Sequence, residues 1–139
     1  IFNGEVAECF HCHGNFNFTD SINHTGIQSA ISVYTNNGSK SEAEYSILSN
    51  EQKGLYEITL DPKDEGKFKA PSLRNIALTF PYMHDGSFTC TTASTSDLDA
   101  CATEALAKVI DNYAVGGKSH RNKDTTFIRS FNLSVGEKT

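Results

Sequence analysis

The chain has 139 residues, about one domain's worth. Twelve Lys and Arg against 17 Asp and Glu give a formal net charge of −5 and an isoelectric point near 5.4, which excludes the basic stripe of a nucleic-acid binder. No apolar run approaches the roughly 18 residues of a membrane span, and no signal-peptide pattern opens the chain. A hydrophobic fraction of 37% and a mean hydropathy of −0.41 are low for a self-sufficient core, though short of the composition of disorder. Nine Phe and five Tyr carry much of the burial and Trp is absent, so something besides side chains is expected to fill the middle.

In chain order, the segment from Cys9 to Gly14 predicts a short helical turn, followed by an irregular stretch rich in Asn, Gly and Thr as far as Ser41. The polar segment SEAEYSILSNEQKGLYEI predicts a helical turn or two, and GKFKAPSLRNIALTFPYMHDGSF reads as loop, punctuated by Pro71, Pro81 and Gly86. Cys90 and Cys101 flank the Ser/Thr-rich stretch TTASTSDLDA, with no metal-ligand spacing around them. A disulfide there closes a short loop and fits an oxidising compartment, periplasmic or extracellular; two free thiols are the plainer alternative. The clearest helix runs from about Thr103 to Ala114, where Leu106, Val109, Ile110 and Tyr113 form one apolar stripe, and Gly116 and Gly117 stop it. Ser134 and Glu137 form the S-x-x-E pattern of a helix beginning, and Ile1-Phe2 reads as the end of one. Both ends therefore read as cut, the alternative being short natural tails. Residues 1–139 are expected to be one domain of a larger protein, with 90–101 an insertion loop.

Cys9-Phe10-His11-Cys12-His13 is the C-x-x-C-H pattern of c-type haem attachment. Two thiols at this spacing add across the haem vinyl groups to give thioethers, and the adjacent histidine supplies the proximal nitrogen of the iron. The tether lets a weakly hydrophobic chain keep a large apolar cofactor. The competing readings are a redox pair, a zinc knuckle and a plain disulfide. Zinc would want a second Cys/His pair at ligand spacing, and a thioredoxin-like site a βαβ context; the sequence offers neither. His11 is a spacer inside the motif. His24 and His120 lie in polar segments and are expected to be solvated, whereas His84 stands in the apolar run FPYMHDG beside Met83. From the residues alone Met83, the single methionine, is the natural sixth ligand, since His/Met ligation is usual in electron-transfer cytochromes.

CFHCHG, then FKAPSLRNIALTFPYMHDGSF, then VIDNYAVGG together resemble the C-terminal haem domain of the bacterial dihaem cytochrome c peroxidase/MauG family, over nearly the whole chain apart from the Cys90–Cys101 insertion. The resemblance implies a mostly α, cytochrome c-like fold of short helices and long loops around one covalent haem. It implies electron transfer, as the relay domain of a peroxidase-like oxidoreductase whose peroxidatic haem lies in an N-terminal half. Its partners would be that missing half and a small redox protein as electron donor. In MauG-like members a tyrosine takes the distal position, and Tyr113 in DNYAVGG matches it; Met83 remains the alternative. The resemblance gives Arg74 a haem propionate as partner, places His84 in the haem surroundings, and matches Thr79 and Pro81 to residues whose carbonyls help bind an interdomain calcium. A stand-alone monohaem cytochrome or haem-bearing structural subunit, without catalysis, is the alternative function. A ligand-sensing haem module is a third, and it would need an open sixth position.

Overall fold

A computed structural model describes residues 2–21, 34–91, 97–134 and 136. Its elements are few and mostly short: α1 (Phe10–His13), β1 (Tyr34–Thr35), α2 (Glu42–Ser46), α3 (Tyr56–Thr59), β2 (Phe68–Lys69) and α4 (Leu98–Ala114). Three 3₁₀ turns, Asn50–Gln52, Pro62–Asp64 and Ile76–Leu78, lie between them. The expected mostly α class thus narrows to several single turns, one longer helix and a small sheet.

α4 begins at Leu98 rather than near Thr103, so it starts inside the stretch expected to be an insertion loop. Asp97 makes the difference. Its carboxylate accepts the backbone N–H groups of Asp99 and Ala100, satisfying donors that a helix start leaves open. The helix turns Cys101, Ala102 and Ala105 inward, each no more than 2% exposed, and packs against the Ile76–Leu78 turn. The predicted stop holds: Gly116 N–H returns to the Tyr113 carbonyl at 2.8 Å and Gly117 N–H to that of Asn112 at 2.8 Å, with Gly116 at φ +80°. Cys90 and Cys101 are disulfide-bonded, tying the chain before α4 to its first turn.

The segment SEAEYSILSNEQKGLYEI folds into α2, one 3₁₀ turn and α3, each with its own local cause. Ser41 and Glu44 form a reciprocal capping box at the start of α2, and Ser49 with Gln52 does the same for the 3₁₀ turn. β1 and β2 pair antiparallel, with Tyr34 opposite Lys69 and Thr35 opposite Phe68. Two-residue strands carry no readable alternation, which is why the sequence does not announce them.

His120 corrects its expectation: it is buried, 7% exposed, with its ring edge-on to Tyr45 at 5.0 Å. Polar neighbours surround it in sequence, but α2 and the loop after α3 fold over it. His24, Ile1 and Glu137 lie outside the described residues. Phe2 sits in a turn and packs edge-on against Phe18. Among the described residues, no helix is long and apolar enough to cross a membrane.

Candidate functional site

α1 is one helical turn, and that is all the C-x-x-C-H motif requires. His13 N–H donates to the Cys9 carbonyl at 3.0 Å, so both thiols and the imidazole emerge from a single turn. The Cys12 carbonyl in turn accepts the Asp20 N–H at 3.1 Å, closing the following loop back on the motif. Cys9 and Cys12 are free and half-buried. Burial pushes both thiols up, and Asp124 and Asp20 push Cys12 further the same way.

The histidine is oriented by a distant residue. His13 Nδ1 lies 3.1 Å from the Pro71 carbonyl oxygen, which can only accept, so Nδ1 carries the proton and donates. Nε2 is left with its lone pair for a metal, the usual support of a ligating histidine. Burial lowers the His13 pKa, outweighing the Pro71 contact, which favours the neutral ring that ligation needs. Pro71 is held in place because 16–20 and 70–74 are laced together. Thr19 Oγ1 donates to the Ala70 carbonyl at 2.7 Å, Ser72 Oγ to that of Asn17 at 2.5 Å, and Leu73 N–H to that of Phe18 at 3.3 Å. Arg74 completes the lacing. It is exposed, its guanidinium lies over the rings of Phe16 (4.2 Å) and Phe18 (5.5 Å), and it donates to the Phe16 carbonyl.

The two candidate distal donors come together on one amide. Asn37 Nδ2 donates to Tyr113 Oη at 3.0 Å and stands 3.7 Å from Met83 Sδ. Burial raises the Tyr113 pKa, and Cys12 and Cys9 reinforce the rise, so the phenol lies within electrostatic reach of the motif thiols. Met83 occupies a left-handed backbone position, φ +67°, in a turn closed by the Gly86 N–H on its carbonyl. Neighbouring His84 is stacked on Phe68 at 3.8 Å, and burial there lowers its pKa. Thr79 and Pro81 lie on exposed chain just after the 3₁₀ turn, with the Thr79 hydroxyl donating back to the Ile76 carbonyl.

Two thiols and an imidazole with an unprotonated Nε2 on one turn, a phenol within electrostatic reach of the thiols and a thioether against the same amide as the phenol are a donor set that fits an iron porphyrin. The sparse apolar interior fits it too: Tyr45, Tyr82, Cys101, Ala102, Ala105 and Ile128 are the buried hydrophobic residues described.

A second cluster is of another kind. Glu42, Glu65 and His120 converge with their ligand atoms within 4.8 Å, a grouping able to hold a cation. His120 Nδ1 accepts the Asn122 N–H at 3.0 Å and the Asn36 amide at 3.1 Å, which puts the ring proton on Nε2, facing Glu42 and Glu65 at 3.6 Å. Arg121 bonds both carboxylates and Lys53 pairs with Glu65 at 3.0 Å. The protein's own cations therefore neutralise this cluster, and its histidine is in the wrong tautomer for a metal. Sequence reading missed both this network and Asn37; the only signal for the latter was the Asn-Asn-Gly turn at 36–38.

No family model matches the chain. A solved MauG-like protein associated with microbial copper homeostasis matches 99% of it, at 36% identity and a TM-score of 0.78, and this chain spans 41% of that structure's length. The cytochrome-c peroxidase IdrP1 of Pseudomonas sp. (strain SCT) is 38% identical over 89 residues, 64% of this chain and 19% of that protein. The methylamine utilization protein MauG of Paracoccus denitrificans is 66% identical over 29 residues, 21% of this chain and 8% of that protein. The cytochrome c551 peroxidase of Pseudomonas aeruginosa is 38% identical over 63 residues, 45% of this chain and 18% of that protein.

A C-x-x-C-H turn with an oriented histidine, set in a fold of which 99% aligns with a MauG-like structure, is the arrangement of a cytochrome-like domain, and this chain spans less than half the length of the relatives it matches. More closely, its relatives are bacterial cytochrome c peroxidases and MauG proteins, which supports that family and a C-terminal domain of it, and the cofactor those relatives imply is haem c.

Proposed function

We propose that this chain is the electron-relay domain of a dihaem peroxidase-like oxidoreductase. It carries one haem c, attached through Cys9 and Cys12 and ligated by His13, with Tyr113 as the distal ligand. The observation that carries this reading is the Nδ1–H contact of His13 with Pro71, which leaves the Nε2 lone pair for a metal on the turn that bears both thiols. Haem supplies reversible one-electron chemistry when bound. The chain's own residues tether it, fix the proximal nitrogen, and set the charge of the distal donor.

In this reading the oxidising chemistry belongs to a second, N-terminal haem domain, in keeping with the fraction of its relatives that the chain spans. Electrons arrive from a small redox protein. Calcium held partly by the Thr79 and Pro81 carbonyls joins the two halves, and Arg74 and His84 belong to the haem surroundings. The Cys90–Cys101 disulfide supports a periplasmic or extracellular location.

Expression in a host with a c-type maturation system tests the proposal. The expected product is a polypeptide that keeps its haem stain after denaturing electrophoresis and is reduced and reoxidised reversibly. Loss of the stain on denaturation overturns covalent attachment. Peroxide turnover by this chain alone, matching that of the two-haem parent, overturns the relay role.

A further inference from the structure

We propose that Asn37 is the positioning residue of the distal side, its amide N–H holding the Tyr113 oxygen and setting how strongly that oxygen donates to iron. The inference rests on the reading of Tyr113 as distal ligand. The orientation of the amide is fixed: Asn37 Oδ1 accepts the Ser39 N–H at 3.2 Å, so the NH₂ edge faces Tyr113 Oη at 3.0 Å. An N–H donated to this oxygen leaves a lone pair for the metal and draws electron density from it. Weaker donation from oxygen stabilises ferric iron less, so the donor raises the reduction potential. The same NH₂ stands 3.7 Å from Met83 Sδ, placing both sulfur and oxygen against one group.

Asn37 is also mounted rigidly. Asn36, 1% exposed, accepts the Asp124 N–H through its carbonyl at 3.0 Å and bonds the Glu65 carbonyl and His120 through its side chain. Lys118 N–H donates to the Gly38 carbonyl at 2.7 Å, fixing the other side of Asn37 to the chain leaving α4. That approach requires glycine: Gly117 sits at φ +67°, and a Cβ there would stand 2.8 Å from the Asn37 carbonyl oxygen. The Gly-Gly pair after Tyr113 thus ends the helix and also admits the loop that reaches back to the tyrosine.

The test compares holoprotein of wild type, Asn37→Ala, Asn37→Asp and Tyr113→Phe by ferric optical and EPR spectra, midpoint potential and haem content. Asn37→Asp keeps the acceptor for Ser39 but removes the N–H donor, and it carries the test if Asn37→Ala does not accumulate. Both Asn37 variants are expected to keep full haem content, shift the ferric charge-transfer band and lower the midpoint potential. A wild-type spectrum and potential in Asn37→Asp, beside a changed spectrum in Tyr113→Phe, overturns the role of Asn37 alone. An unchanged spectrum in Tyr113→Phe overturns the distal-ligand reading, and the proposal with it.

Discussion

His13 and Pro71 are 58 residues apart in sequence, yet the imidazole Nδ1 and the proline carbonyl oxygen meet at 3.1 Å. A residue on the C-x-x-C-H turn is thereby aimed by a backbone group of the P-S-L-R-N segment, and the lacing through Thr19 and Ser72 holds the two together.

The first prediction concerns that lacing. His13→Ala should leave haem covalently attached but remove the low-spin ferric spectrum. Thr19→Val should do less. It deletes a buried hydroxyl, 3% exposed, that bonds the Ala70 carbonyl, at a stability cost of about 1–2 kcal/mol. The ferric spectrum of Thr19→Val should show a mixed spin state as the ring loses its fixed orientation. A Thr19→Val spectrum identical to wild type would show that Pro71 is held without this bond.

The second concerns the disulfide. Cys90 and Cys101 are 11 residues apart, so the bond closes a short loop and stabilises the fold by about 3 kcal/mol in the loop-entropy account. Cys101 is only 1% exposed and sits in the first turns of α4, so the bond also anchors the helix that carries Tyr113. The Cys90→Ala/Cys101→Ala variant should unfold at markedly lower denaturant, with haem retained. Peptide mapping under non-reducing conditions should recover the linked pair.

What was legible in the sequence divides along physical lines. The short turn at Cys9–Gly14 could be read because a C-x-x-C-H spacing brings both thiols and the imidazole onto one helical turn. The body and end of α4 could be read because an apolar stripe and two glycines are local signals. Its start was hidden, since Asp97 caps a helix from within what looks like Ser/Thr-rich loop. His120 was misjudged for a related reason. Its sequence neighbours Ser119, Arg121 and Asn122 are polar, and what buries it comes from α2, Asn36 and Glu65, far away in the chain. Tyr113 and Met83 could each be named as ligands, but nothing local says that both touch Asn37, 76 and 46 residues away.

A third prediction follows from the Glu65 network. This carboxylate, with 8% of its side chain exposed, pairs with Lys53, itself only 14% exposed, and with Arg121. Glu65→Gln leaves Lys53 short of its partner in a largely buried site, while Arg121, half exposed, keeps Glu42, and the loss should be about 3 kcal/mol by denaturant unfolding. Glu42→Gln, at the solvent-facing side of the same Arg121, should lose far less. Equal losses for the two would mean that burial does not set the strength of these pairs.

A fourth concerns acid stability. Lys118 and Ser41 hold the Glu44 carboxyl down to about 2, from an ordinary 4.5. A depressed carboxylate stabilises the fold above its unfolded pKa, and that stabilisation is lost as pH falls through the folded one. The Glu44 contribution should therefore be complete above about pH 4.5 and vanish towards pH 2. The pair is roughly half exposed, so solvent screening holds the contribution to about 1 kcal/mol. Lys118→Met should flatten the acid limb of a stability-versus-pH curve over this window and leave the curve's shape near neutrality unchanged.

In the proposed relay, the distal ligand decides its character. Tyr113 Oη and Met83 Sδ both lie against Asn37, so either could approach an iron held by His13. They differ in charge. A thioether is neutral and favours ferrous iron, giving a conventional high-potential relay, whereas a tyrosinate stabilises ferric iron and eases access to higher oxidation states. Burial raises the Tyr113 pKa, so the free phenol keeps its proton, and only bonding to the metal itself would remove it at neutral pH. Tyr113→Phe should therefore raise the midpoint potential, abolish the phenolate-to-iron charge-transfer band and relieve any proton release that accompanies ferric ligation. Met83→Leu should change little in either. The opposite pattern, with the weak long-wavelength band of a sulfur ligand present in the wild type and lost only in Met83→Leu, would assign the iron to methionine.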